Sequence, residues 1–160
     1  FYPQAKIVLH GVSMGAATVM MAAGREDLPS EVVAAVEDCG YTNADELIAM
    51  QMENSFGLPA FPAMNLLNWR CEKVAGFNLH DAAPIDAVRH ARVPILFIHG
   101  TKDTLVPPNM AEQLYAAANA PKKELLMIPG AVHAAASQAD QQTYFRTIRK
   151  FVQPYMEEQK

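Results

Sequence analysis

Four short apolar runs punctuate the 160-residue chain: 6–10 (KIVLH), 32–37 (VVAAVE), 94–99 (PILFIH) and 124–128 (ELLMI), each closed by Gly, Pro or a polar turn such as DCGY. Runs this short and this uniformly apolar suit strands buried on both faces, as in a parallel sheet. Helical segments separate them. Residues 13–24 (SMGAATVMMAAG) carry the small side chains of a helix packed closely on a sheet, Gly24 offers it a stop, and residues 109–118 carry a second helical pattern. From about 138 to 158, Tyr144, Phe145, Ile148, Phe151 and Val152 recur at helical spacing, which predicts a helix covering one sheet face. Strands alternating with helices pair in parallel through right-handed crossovers, so the fold class is α/β, a doubly wound and mostly parallel sheet.

Residues 41–93 break that rhythm with two or three helical segments and no convincing strand, a stretch too long for a simple connection. It is rich in Met, Leu and aromatic residues from Leu47 to Trp69 and is interrupted by Pro59 and Pro62. Two arrangements stay open: a helical cap-like insertion whose adaptable side chains suit an apolar ligand, or helices packed on the sheet. With 51% hydrophobic and 19% charged residues, the whole chain, 1–160, has the composition of one domain with a real core. The net charge of −4 and the scattered Lys and Arg form no basic stripe, so neither nucleic acid nor an anionic membrane surface is an expected partner. No run approaches the ~20 apolar residues of a membrane span. Cys39 and Cys71 are too few for a disulfide scaffold and lack zinc-ligand spacing, and both read as ordinary thiols.

The chemistry starts at residues 11–15, GVSMG, a G-x-S-x-G pattern that follows one predicted strand and opens one predicted helix. Such a turn projects the serine hydroxyl above the sheet, and the two glycines allow strand and helix to approach closely. The helix N-terminus aims backbone N–H groups at a developing oxyanion, with Met14 N–H the natural first donor. The competing role for Ser13 is a helix N-cap. A serine nucleophile needs a base and the base an orienting acid, and loops after the next two strands supply both. HGTKDTLVP (99–107) carries Asp103, and IPGAVHAAA (128–136) carries His133, each just past the carboxyl end of a predicted parallel strand, where sites of open α/β sheets gather. Asp103 alone also suits a turn or N-cap, and His133 alone a surface position.

With GVSMGAA, FIHGTKDTLVP and IPGAVH in this order, the chain resembles the carboxyl-terminal part of an α/β-hydrolase-fold serine hydrolase. VEDCGYT and APIDAVRHARVPILFIHG are similar to a bacterial branch described as Bem46-like or serine-aminopeptidase-like. The resemblance implies Ser13 as nucleophile, His133 as general base and then acid, and Asp103 as the carboxylate orienting His133. It also implies that the family's first strands, and the loop giving a second oxyanion donor, lie before residue 1; His10-Gly11 and His99-Gly100 do not replace that loop. The expectation is therefore a sheet truncated on its amino-terminal side, weakly active at best by itself and prone to self-association through an unpaired edge.

Other residues rank lower. Asp38 suits a turn in EDCGY, with pocket lining or a substitute acid as the alternative. Glu37 beside Asp38 is not a glycosidase pair, because neighbours on a strand face opposite ways. His10 sits at a strand end, and His80 and His90 have no metal-ligand spacing. Neither a phosphate loop nor a dinucleotide fingerprint occurs, so no cofactor is implied. The expected activity is hydrolysis of carboxylic esters or related acyl compounds through a Ser-His-Asp triad, with a small apolar or acyl substrate. A peptidase is the alternative among enzymes and a catalytically silent binding module the alternative outside them. The cytoplasm is the default compartment, because a signal or anchor would sit upstream of residue 1.

Overall fold

The computed structural model describes residues 5–157. All four apolar runs become strands: β1 (Ile7–Val12), β2 (Val32–Asp38), β3 (Ile95–Gly100) and β4 (Lys123–Ile128). They form one parallel sheet in the order β1-β2-β3-β4. β1 runs past the expected stop at Gly11, because Gly11 and Val12 pair with Glu37 and Asp38. β3 is buried along its whole length, whereas Ile7 and Val12 on the edge strand β1 are 44% and 41% exposed.

Each strand adds to the same side of the one before it, and crossovers of one hand then deliver their helices to one face. On that face α1 (Met14–Ala23), α4 (Pro84–Val88) and α5 (Pro108–Ala117) place Met20, Val88 and Leu114 against Ile95 and Phe97. The other face is covered from the C-terminal side by α6 (Ala136–Ala139) and α7 (Gln141–Met156), with Tyr144 and Phe151 packed on Val36, Leu96 and Ile98. Each large side chain fully buried this way contributes about 1.5–3 kcal/mol. The Asp140 side chain caps α7, accepting the Thr143 N–H at 2.9 Å. Of the residues expected on its inner face, Phe145 is instead half exposed. Tyr144, Ile148 and Phe151 set the buried stripe, and the residue next to Tyr144 falls roughly 100° away from it. The expected tail helix ends at Met156; position 158 lies outside the described residues.

The segment between β2 and β3 holds α2 (Ala44–Phe56), α3 (Ala60–Ala75), a 3₁₀ turn (Leu79–Asp81) and α4. Only α4 packs into the sheet core. α2 and α3 pack on each other and leave Phe56, Phe61, Leu66 and Trp69 more than half exposed, so direct packing on the sheet fails for these two helices. Among the described residues, no helix is long and apolar enough to cross a membrane.

Candidate active site

Ser13 stands between β1 and α1 at φ 56°, ψ −116°, a conformation that costs a non-glycine residue about 1–3 kcal/mol. It is held from both sides, by Ser13 N–H donating to the Asp38 carbonyl at 2.8 Å and by the Ser13 carbonyl accepting from Ala17 N–H at 3.1 Å. A Cβ on Gly11 would lie 2.1 Å from the Gly15 carbonyl oxygen, so only glycine allows strand and helix to meet there. Gly15 differs from expectation: a Cβ on it meets nothing within 4 Å, and what it contributes to the close approach is its backbone. The Ser13 side chain makes no capping bond. Its Oγ lies 2.8 Å from His133 Nε2 instead.

His133 follows β4 and Asp103 follows β3, and His133 Nδ1 is 2.7 Å from Asp103 Oδ2. The Asp103 carboxylate also serves as the turn residue it resembled locally, its Oδ1 accepting the Leu105 and Val106 N–H groups at 2.9 Å each. The two loops are stitched together by Lys102 N–H on the Ala131 carbonyl (2.9 Å) and Gly130 N–H on Thr101 Oγ1 (2.8 Å). Ser13, His133 and Asp103 thus form one hydrogen-bonded row. Met14 is the first residue of α1, where a helix leaves its N–H free of intrahelical partners. A cavity of about 230 Å³ opens beside them, lined by Ser13, Met14, Tyr41, Ala44, Leu47 and Ile48.

Behind this row stand residues that sequence reasoning gave other roles. His99 is fully buried, donates from Nε2 to the Val106 carbonyl at 2.9 Å, and holds that nitrogen 3.4 Å from Asp103 Oδ2. A polar residue closing an otherwise apolar buried strand was its signal. Cys39 sits at φ 51°, 1% exposed, and its sulfur, a ring nitrogen of His133 and a carboxylate oxygen of Asp103 all lie within 4.8 Å of one another. Burial, reinforced by the nearby Asp38 carboxylate, pushes the Cys39 thiol up to about 12. Cys71 is a free thiol, half-buried on α3.

Asp38 is not the turn residue expected from EDCGY. It closes β2, is buried, and its Oδ2 accepts the Tyr144 hydroxyl at 2.9 Å; that hydroxyl is in turn 3.0 Å from His10 Nε2. Since Tyr144 donates its one proton to Asp38, His10 Nε2 donates to Tyr144. Burial raises the Asp38 carboxyl, with the Tyr144 hydrogen bond opposing. Glu37 points to the opposite sheet face as predicted; burial pushes it up to about 8, and its Oε2 accepts Gly40 N–H at 2.9 Å. His80 pairs with Asp45, and His90 lies 3.1 Å from the Asp86 carbonyl, so neither joins the row.

The sequence profile of the prolyl oligopeptidase family matches residues 1–159. The chain belongs to the prolyl oligopeptidase family. Two curated relatives of this family member are similar in sequence: protein YqkD of Bacillus subtilis is 27% identical over 146 residues, covering 91% of this chain and 47% of its own. The α/β hydrolase domain-containing protein WAV2 of Arabidopsis thaliana is 27% identical over 131 residues, covering 74% and 42%. The prolyl oligopeptidase-family chain therefore spans about half the length of the curated relatives it matches. Among solved structures, an esterase of Pyrococcus furiosus superposes with a TM-score of 0.69 at 21% identity, covering 95% of this chain and 54% of its own. The esterase domain of a Rhodothermus marinus protein gives 0.62 at 22% identity, with 94% and 61% covered. The acylaminoacyl peptidase of Pyrococcus horikoshii gives 0.66 at 17% identity, with 98% and 25% covered. These likenesses establish the α/β-hydrolase fold of this family member.

Proposed function

We propose that this chain carries the nucleophile, base and acid of a serine hydrolase that cleaves carboxylic esters or related acyl substrates through an acyl-enzyme. The observation that supports it most is the continuous row Ser13 Oγ, His133, Asp103, with contacts of 2.8 and 2.7 Å, built on a strained turn. Asp103 accepts from His133 Nδ1–H, which fixes the tautomer whose Nε2 is a free acceptor. Nε2 takes the Ser13 proton as Oγ attacks the carbonyl carbon. The oxyanion rests on Met14 N–H at the positive end of α1 and on a second donor that the family resemblance assigns to a loop before residue 1. The imidazolium then protonates the leaving alkoxide, and water, deprotonated by the same nitrogen, releases the acid and restores Ser13.

The cavity beside Ser13 supports an apolar acyl group, since three of its six lining residues, Ala44, Leu47 and Ile48, are apolar positions of α2. That wall supports reading α2, with α3 packed on it, as the cap-like part of residues 41–93, while α4 belongs to the sheet layer. Peptide cleavage is a second reading, favoured by the family match and by the acylaminoacyl peptidase likeness. Among the described residues the lining carries no carboxylate to receive a free amino terminus, which weighs toward esters and blocked substrates. A silent binding module has no physical use for the aligned row. The deciding experiment is intact-mass analysis of the full-length protein after a fluorophosphonate probe: one adduct on Ser13 is expected, absent in Ser13→Ala and in His133→Ala. Folded protein that takes no adduct, or equal labelling of Ser13→Ala, refutes the proposal.

A further inference from the structure

We propose that Cys39, Asp103 and His133 form a binding site for a thiophilic divalent cation of the Zn²⁺ class, and that the bound ion switches off the nucleophile. Binding stands on the donor cluster alone; the inhibitory consequence rests on the triad reading above.

The three donors come from loops following β2, β3 and β4, which the consecutive strand order sets side by side. Cys39 and Asp103 are buried, and their donor atoms and a ring nitrogen of His133 lie within 4.8 Å of one another. A thiol sulfur, an imidazole nitrogen and a carboxylate oxygen are a zinc-type donor set, whereas Mg²⁺ and Ca²⁺ take oxygen ligands. Zinc bonds of about 2.3 Å to sulfur and about 2.0–2.2 Å to nitrogen or oxygen bring such donors roughly 3.3–3.8 Å apart, so the Cys39 sulfur has up to about 1 Å to close, while His133 Nδ1 and Asp103 Oδ2, 2.7 Å apart, must separate by about 0.7 Å for an ion to enter between them. The His133 side chain, 20% exposed and on a loop, is the member free to move. Three protein ligands leave the fourth position to water.

Coordination removes the general base whichever nitrogen binds. With the metal on Nδ1, the displaced Nδ1 proton moves to Nε2, and Nε2–H donates to Ser13 instead of accepting from it. With the metal on Nε2, the accepting lone pair is occupied. In both cases the Cys39 thiol proton is released to solvent and the sulfur binds as thiolate. A thiol buried directly behind a serine nucleophile has no part in acyl transfer, and metal ligation is the chemistry its neighbours provide.

The test titrates Co²⁺, then Zn²⁺, into the metal-free full-length protein. A one-to-one Co²⁺ complex with a sulfur-to-cobalt charge-transfer band, displaced by Zn²⁺ and missing from Cys39→Ser, is expected; this readout needs no activity. In parallel, Zn²⁺ should suppress fluorophosphonate labelling of Ser13, EDTA should restore it, and Cys39→Ser should need at least about tenfold more Zn²⁺ for the same suppression. Cys39→Gly, which accepts the positive φ, repeats the comparison if Cys39→Ser is unstable. Absence of the charge-transfer band in the unsubstituted protein overturns the proposal. So does its persistence in both Cys39 variants with unchanged zinc sensitivity. A cobalt band on protein that never labels supports the metal site and refutes the hydrolase reading.

Discussion

Gly100→Ala is the substitution whose effect follows most directly from the geometry. Gly100 closes β3, and a Cβ placed on it would lie 2.4 Å from the Ala131 carbonyl oxygen and 2.8 Å from the Ala131 carbonyl carbon. Ordinary contact begins at 3.4 Å, so the loop after β4 must retreat by about 1 Å, and the obstacle is backbone, which no rotamer change removes. His133 lies two residues farther along that loop, with contacts of 2.8 Å to Ser13 and 2.7 Å to Asp103. Adding about 1 Å carries both beyond the ~3.2 Å reach of a hydrogen bond. A misplacement of that size costs on the order of 10²-fold in rate, and overpacking costs roughly 1–3 kcal/mol of stability. The assay is the second-order rate of fluorophosphonate labelling at Ser13 in the full-length protein, read beside its thermal unfolding. A variant that melts earlier yet labels at the unsubstituted rate would refute the link between the Gly100 contact and the position of His133.

Four further outcomes are expected. Glu37, raised by burial from 4.5 to about 8, keeps its proton in the folded state while the unfolded chain gives it up, so its contribution is complete below about pH 4.5 and is lost as pH rises through about 8. Glu37→Gln should therefore lose less stability than the unsubstituted protein between pH 5 and 8 in urea titrations; equal slopes would contradict this. Tyr144→Phe keeps the buried ring but strips the hydroxyl from Asp38 and His10, and should cost about 1–3 kcal/mol in denaturant unfolding. Ile48→Trp, filling the cavity of about 230 Å³, should lower kcat/KM for long acyl esters far more than for acetyl esters, and an unchanged chain-length profile would remove α2 from the pocket. The 160-residue chain by itself should self-associate in sedimentation and turn over weakly, because β1 is an open sheet edge and α2 and α3 expose Phe56 and Trp69; a monomer with full esterase turnover would rule this out.

The strands, the helices that follow them and the Ser, Asp, His order were legible because each is a local signal. A five- or six-residue apolar run closed by Gly, Pro or a polar turn is short enough for a buried strand and too short for a buried helix, and a serine between glycines after such a run suits a tight strand-to-helix turn. The one helical residue misjudged on α7, Phe145, shows the limit of periodicity, since the buried stripe was drawn one residue too wide. Local composition also failed to say where α2 and α3 would lie. Their Met and aromatic residues fit a core and a cap equally well, and only the packing of one helix on the other left Phe56, Phe61 and Trp69 outside the sheet core.

What the chain determined alone was the set of parts: four strands, an elbow, and three candidate site side chains placed just past strand ends. Which side chains stand behind those three was decided by register. Val12 pairs with Asp38, Asp38 with Ile98 and Gly100 with Ile128, and these alignments bring the loops carrying residues 13, 39, 103 and 133 to the carboxyl end of the sheet. No local pattern near Cys39 or Tyr144 announces that Cys39 meets Asp103 or that Tyr144 meets Asp38, because a contact between residues far apart in sequence exists only after the sheet has set the distance between its strand ends. The tertiary structure therefore supplied what surrounds the candidate nucleophile: the buried thiol, the second histidine and the Tyr144–Asp38 bond.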